Sequence, residues 1–226
     1  MPAEIVHWEI LNSICSAENT NPNAKKILLE FPECAALGAL GHDAPYFFNA
    51  GTSAATSKSC SFLHGAFGDD PLVFLYHALT IAKEKKLKPA EAFVLGMITH
   101  YAADSCFHPL VYYLTGNYYS SDIEEQKLVK TRHRRFEVFL DTWWKYNFDS
   151  SCHDPKILLK KANKHLAEIG EVLSIALSRS SDKFEISAKN WEKSIRHLVF
   201  ICKLTTNPFI GILMKFFNFI SLGKLD

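Results

Sequence analysis

His100, Asp104 and His108 stand four residues apart, twice over, within Thr99-His100-Tyr101-Ala102-Ala103-Asp104-Ser105-Cys106-Phe107-His108-Pro109. On an α-helix of about 3.6 residues per turn, a four-residue step rotates by only about 40°, so all three side chains share one face. Two neutral imidazoles and a carboxylate on one stripe form a surface for a divalent cation. A second pair at the same spacing, His133 and Glu137, follows in Arg132-His133-Arg134-Arg135-Phe136-Glu137. Together the two patterns point to metal-centred hydrolytic chemistry. The plainer alternative is a buried His-Asp-His hydrogen-bond network.

The context of each residue shifts the balance. His100 ends the apolar run Phe93-Val94-Leu95-Gly96-Met97-Ile98, where a lone histidine is usually a satisfied core residue. Asp104 argues otherwise, because a carboxylate one turn along an apolar face is costly unless paired or metal-bound. An isolated HxxxE is common as a solvated pair, so His133 and Glu137 gain meaning only beside the first cluster. His7, Asp43 (in Gly41-His42-Asp43-Ala44-Pro45) and His64 (in Phe62-Leu63-His64-Gly65) are individually weak candidates set among small or apolar neighbours. His42 is expected to point away from Asp43. His77, His153, His165 and His197 lack ligand spacing, and Arg132, Arg134 and Arg135 are expected on solvated faces.

Helices must carry these residues. Apolar residues at Ile5, Trp8, Ile10 and Leu11 have helical spacing from Ala3 to Ile14. Asn21-Pro22, Asp70-Pro71 and Asp154-Pro155 read as helix starts, since Pro suits the first helical turn. Lys88-Pro89-Ala90-Glu91 opens the long helix that contains His100, which Pro109 is expected to bend or interrupt. Asp122 caps a helix reaching about Tyr146 and holding the second pair, and Glu185 and Asn207-Pro208 mark later starts. Asn49 to Ser61, rich in Gly, Ser, Thr and Ala, reads as a loop beside the site. Strand signals are absent. The expected fold is all-α, a single-domain multi-helix bundle over residues 1–226.

The totals agree with a globular chain. Hydrophobic content is 48% and charged content 22%, which allows a substantial core. A net charge of +1 provides no bulk field toward nucleic acid or an anionic membrane. Six scattered cysteines without a CxxC pair read as mostly buried thiols. Met1-Pro2-Ala3-Glu4 shows no basic region followed by an apolar run, so no secretory signal is expected; the compartment and the oligomeric state are not readable.

In order, His7, Asp43, His64, His100-x3-Asp104, His108 and His133-x3-Glu137 resemble the zinc-dependent phospholipase C family, which is all-α and binds three zinc ions. The resemblance runs from the N-terminus to about Glu137. It implies that Asp43, His64, His100 and Asp104 hold one zinc and that His108, His133 and Glu137 hold a second with an open position. His7 and a bridging Asp104 would hold a third, giving two to three ions in all, with Asp43 also the candidate general base. The sequence departs from the family in two places. Secreted members complete the third site with the amine and carbonyl of an N-terminal residue, usually Trp, whereas this chain begins Met1-Pro2 and brings His7 closer to the start. His108 also follows Asp104 by four residues rather than six.

The implied activity is cleavage of a glycerophospholipid at a membrane surface to diacylglycerol and a phosphorylated head group. One alternative is a zinc-dependent single-strand nuclease of the same fold. Its stacking and phosphate platform would have to come from Lys127, Lys130, Arg132, Arg134 and Arg135, and no nucleic-acid partner is expected. The other alternative is a non-catalytic helical protein stapled by zinc. The apolar stretch Phe209–Ile220 is too short for a transmembrane helix, which needs about 20 residues. It is expected in the core or as an interfacial anchor.

Overall fold

A computed structural model of the protein describes residues 4–118, 120–147 and 154–206. Ten α-helices run in order, and no strand occurs among the described residues: α1 (Glu4–Ser16), α2 (Pro22–Glu30), α3 (Pro32–Gly41), α4 (Ala54–Leu63), α5 (Pro71–Glu84), α6 (Lys88–Thr115), α7 (Ile123–Asn147), α8 (Pro155–Ala162), α9 (Leu166–Ser180) and α10 (Ala188–Thr206). The Asx-Pro pairs work as read. Asn21, Asp70 and Asp154 each accept a backbone N–H of the helix that follows, satisfying donors that have no partner within the helix. The expected start at Asn207-Pro208, the stretch Phe209–Ile220, Cys152 and His153 lie outside the described residues.

Three expectations are corrected. Pro109 does not interrupt α6, which continues to Thr115. The segment read as a loop from Asn49 to Ser61 is largely helical: a 3₁₀ helix covers Ala44–Gly51 and α4 follows. Ser53 makes this possible by accepting the backbone N–H of Thr56, so small polar residues supply a cap rather than a loop. The helix assigned to Glu185 begins at Ala188, where the Ser187 hydroxyl accepts the N–H of Asn190.

The core that positions the site is the contact between α3 and α6. α3, Pro-Glu-Cys-Ala-Ala-Leu-Gly-Ala-Leu-Gly, is buried from Cys34 to Gly41. A Cβ on Gly38 would lie 2.0 Å from the Phe93 carbonyl oxygen, and one on Gly96 would lie 2.2 Å from that of Ala35. The two backbones therefore touch where no side chain fits, and shape complementarity there is strict. α1 is tied to α3 by the Trp8 indole, whose Nε1–H donates to the Ala36 carbonyl at 2.9 Å. Behind them α5, α9 and α10 close the core around buried Trp191, which stacks on Phe74. Cys34, Cys60 and Cys202 are buried thiols, as expected, whereas Cys106 is exposed.

Candidate metal centre

The eight candidate residues come from five places in the chain and converge on one region. α1 supplies His7, the turn after α3 supplies Asp43, and His64 caps the end of α4. α6 supplies His100, Asp104 and His108, and α7 supplies His133 and Glu137. They form three groups: His7, His100 and Asp104; Asp43, His64 and His100; and His108, His133 and Glu137. Within each group one donor atom per residue lies within 4.8 Å of the others.

Asp104 links the groups. Its Oδ2 faces His100 Nε2 at 3.3 Å, while its Oδ1 lies 3.6 Å from His7 Nε2 and 3.8 Å from His108 Nε2. His64 Nε2 is 3.0 Å from Asp43 Oδ1, and His133 Nε2 is 3.0 Å from Glu137 Oε1. His108 Nε2 completes the last group, 3.9 Å from the same Glu137 oxygen.

The ring tautomers test whether a cation fits. His100 Nδ1–H donates to the Ala39 carbonyl at 2.8 Å, and His64 Nδ1–H donates to that of Cys60 at 2.8 Å. A carbonyl accepts but cannot donate, so each Nδ1 carries the proton and a neutral ring leaves a lone pair on Nε2. Both lone pairs then face carboxylate oxygens, a repulsive arrangement unless a proton or a cation lies between. His100 Nε2 is also buried without a hydrogen-bond partner among the described residues. The donor set of imidazoles and carboxylates therefore suits zinc, with the second nitrogen of each ring fixed by a carbonyl.

Electrostatics follow from burial and proximity. Burial, together with neighbouring His100, pushes His7 down to about 3. His100 is buried too, which would lower it, but the Asp104 and Asp43 carboxylates prevail and raise it to about 9. Asp43 and Asp104 are held well below the usual carboxylate range despite desolvation, chiefly by the His100 charge. His108 is lowered by burial, with His133 beside it adding to the effect. Two anionic carboxylates thus sit among rings that a cation can claim in place of protons.

Several neighbours escaped the sequence reading. His42 does not point away: it is fully buried, its Nε2 lies 2.9 Å from the Leu63 carbonyl, and its ring packs 4.5 Å from His64 and 5.4 Å from His100. It backs the candidate ligands without joining any of the three groups. Tyr112 and Tyr118 pack around His133, with ring centroids 5.6 and 5.1 Å away. Asp141 accepts the backbone N–H groups of Ile5 and Val6 at 3.2 and 3.1 Å, tying the start of α1 to α7 two residues before His7. Its signal was present, because His133-x3-Glu137-x3-Asp141 continues the four-residue step. Val6, Ala103, Phe107, Val111 and Leu140 join His7, Asp104, His108 and Glu137 in lining a cleft against the cluster.

A family model for zinc-dependent phospholipase C matches residues 6–202, nearly all of the described chain. No curated protein and no solved structure matches.

Proposed function

The chain belongs to the zinc-dependent phospholipase C family, and from that membership we propose that it cleaves glycerophospholipids to diacylglycerol and a phosphorylated head group. The observation that carries the reading is the split of Asp104, one oxygen toward His100 and the other toward His7 and His108. A carboxylate so placed suits a cluster of ions better than a single structural ion. In this reading Asp43, His64, His100 and Asp104 would hold one zinc, and His108, His133 and Glu137 would hold a second. His7 and Asp104 contribute to a third, for two to three ions in all. His100 has only Nε2 to offer, because Ala39 occupies Nδ1, so it serves the first site and not the third.

When bound, clustered zinc neutralises phosphate oxygens and lowers the pKa of a water. The protein contributes position and proton handling. Asp43 is ionised and is the candidate general base for the attacking water. In the reaction a water oxygen forms a bond to phosphorus and gives its proton to Asp43, while the bond from phosphorus to the glycerol oxygen breaks and that oxygen takes a proton from solvent water to leave as the hydroxyl of diacylglycerol. The apolar side chains Phe107, Val111 and Leu140 flank the cluster and would hold the glycerol side of the substrate away from bulk water.

The test is to strip metal, titrate zinc back, and assay phospholipid and single-stranded nucleic acid side by side. Recovery of phospholipid cleavage alone supports the proposal. Recovery of nucleic-acid cleavage alone selects the nuclease, and zinc uptake without hydrolysis selects the structural staple.

A further inference from the structure

The half of α6 that carries the cluster is exposed without being charged. From Tyr101 to Ser121 the sole formally charged residue is Asp104, and it faces the cluster. Yet Phe107, Leu110, Tyr113 and Leu114 are exposed, Leu110 at 50% and Tyr113 at 86%. Phe107, Leu110 and Leu114 lie at i, i+3 and i+7, one stripe beside the His100-Asp104-His108 face. On α7 the exposed Phe139, Trp143 and Tyr146 form a similar stripe, again beside the face of His133 and Glu137. Solvent-facing helix surface ordinarily carries charge, so the exposed Phe107, Leu110 and Leu114 on α6 and Phe139 and Tyr146 on α7, flanking one cleft, mark an interaction face.

The stripes share a side. α6 and α7 run antiparallel with their candidate ligands opposed, since Tyr112 meets His133 while Phe107 and Ala103 line the cleft with Leu140. Viewed from each N-terminus, both stripes are rotated from the ligand face in the same sense. In an antiparallel pair with those faces opposed, that brings both to one side. Arg132 is exposed two turns before Phe139 on the same side of α7. No acidic side chain from Phe136 to Tyr146 lies in that stripe; Glu137 and Asp141 turn inward.

The geometry points to a lipid-surface docking face made of Leu110, Tyr113 and Leu114 on α6 with Phe139 and Tyr146 on α7, which sets the cleft against the bilayer. The inference rests on the phospholipase reading for its occupant. Phe107 belongs both to the α6 stripe and to the cleft wall, so the docking face is continuous with the place where a lipid phosphodiester must enter. Aromatic rings with polar tips suit the headgroup boundary, and Arg132 suits a phosphate there.

The test is cosedimentation with phosphatidylcholine vesicles in excess chelator, so that binding is read without turnover. The full-length triple variant Leu110→Ser/Tyr113→Ser/Phe139→Ser is compared with the parent. None of the three residues is placed in the catalytic machinery. The expected result is vesicle binding weakened at least tenfold, with hydrolysis of a water-soluble phosphodiester by the zinc-loaded protein within twofold of the parent and an unchanged melting temperature. A parent that does not bind vesicles, or a variant that binds as well as the parent, overturns the inference. So does a variant that melts several degrees lower with vesicle binding unchanged, because the face is then covered by the chain's own residues 207–226. A parent dimer that the variant turns into a monomer without change in vesicle binding also overturns it, in favour of a second copy. Should one of the serines prevent folding, Tyr146→Ser alone, at an 83% exposed position, carries the same comparison with a smaller expected loss. A parent that binds vesicles but cleaves no phospholipid when zinc-loaded leaves the docking face standing and removes the phospholipase reading.

Discussion

Asp104→Asn is the most discriminating perturbation of the proposed centre. Asparagine keeps the shape of the side chain and removes one negative charge. In the structure that charge faces His100 Nε2 at 3.3 Å through one oxygen, and His7 and His108 at 3.6 and 3.8 Å through the other. An ion seated among either set of nitrogens lies within about 4 Å of the carboxylate. At that separation a unit charge pair is worth about 4 kcal/mol at an effective dielectric of 20, and a divalent ion gains more, so the loss is at least about three orders of magnitude in affinity. Because the two oxygens face different nitrogens, the loss should fall on two ions together.

The assay is zinc per chain by elemental analysis after dialysis, with kcat on a soluble phosphodiester. Asp104→Asn is expected to lose more than one zinc equivalent and nearly all activity. His133→Ala is expected to lose about one equivalent, since its partners are only His108 and Glu137. An Asp104→Asn protein with a full zinc complement would refute the bridging argument and leave Asp104 as a hydrogen-bond partner of His100.

Three further outcomes are expected. Purified protein should contain two to three zinc ions per chain and lose phosphodiesterase activity to a strong chelator; full activity in metal-free protein would sink the zinc reading. Gly96→Ala should cost about 3 kcal/mol, or roughly 10 °C in Tm, because its Cβ would meet the Ala35 carbonyl at 2.2 Å; an unchanged Tm would mean that α3 and α6 can separate freely. Burial pushes the Asp141 carboxyl up to about 7 against the backbone N–H bonds that lower it. The folded state therefore binds the proton more tightly than the unfolded chain, and stability present below about pH 4 is lost as pH rises through 7. Urea midpoints should accordingly fall more from pH 5 to 8 in the parent than in Asp141→Asn, and parallel curves would contradict this.

Helix periodicity and caps were readable wherever a helix had two faces or a polar start. α6 announced itself through Lys88-Pro89 and an apolar run, and Asn21, Asp70, Asp122 and Asp154 cap as their types suggest. α3 was not readable, because a helix buried on every side has no polar face to set its period. Its glycines look like loop residues in the sequence, but Gly38 lets backbone meet backbone at Phe93 and Gly41 makes room for the Phe93 ring. The Ser-Thr-Ala stretch of α4 misled for the opposite reason: turn-forming residues were used as a cap. His42 was misjudged because adjacency to Asp43 predicts divergence on a regular element, whereas at the end of α3 both rest against His64 and His100.

Spacing states which side chains share a face, but it does not state which nitrogen carries the proton. For His100 that is decided by Ala39, 61 residues away, whose carbonyl reaches Nδ1 because α3 and α6 touch through Gly38 and Gly96. For His64 the deciding carbonyl is Cys60, one turn back on its own helix. The Nδ1 atoms of His7 and His133, by contrast, are buried with no hydrogen-bond partner among the described residues. The Asp43–His64–His100 side of the centre is therefore oriented by the fold before any cation arrives. His7 and His133 are aimed mainly by the carboxylates in front of them. Close glycine packing in the core and the tautomer of a candidate ligand are thus one property of the chain, and a change in the first should appear as a change in the second.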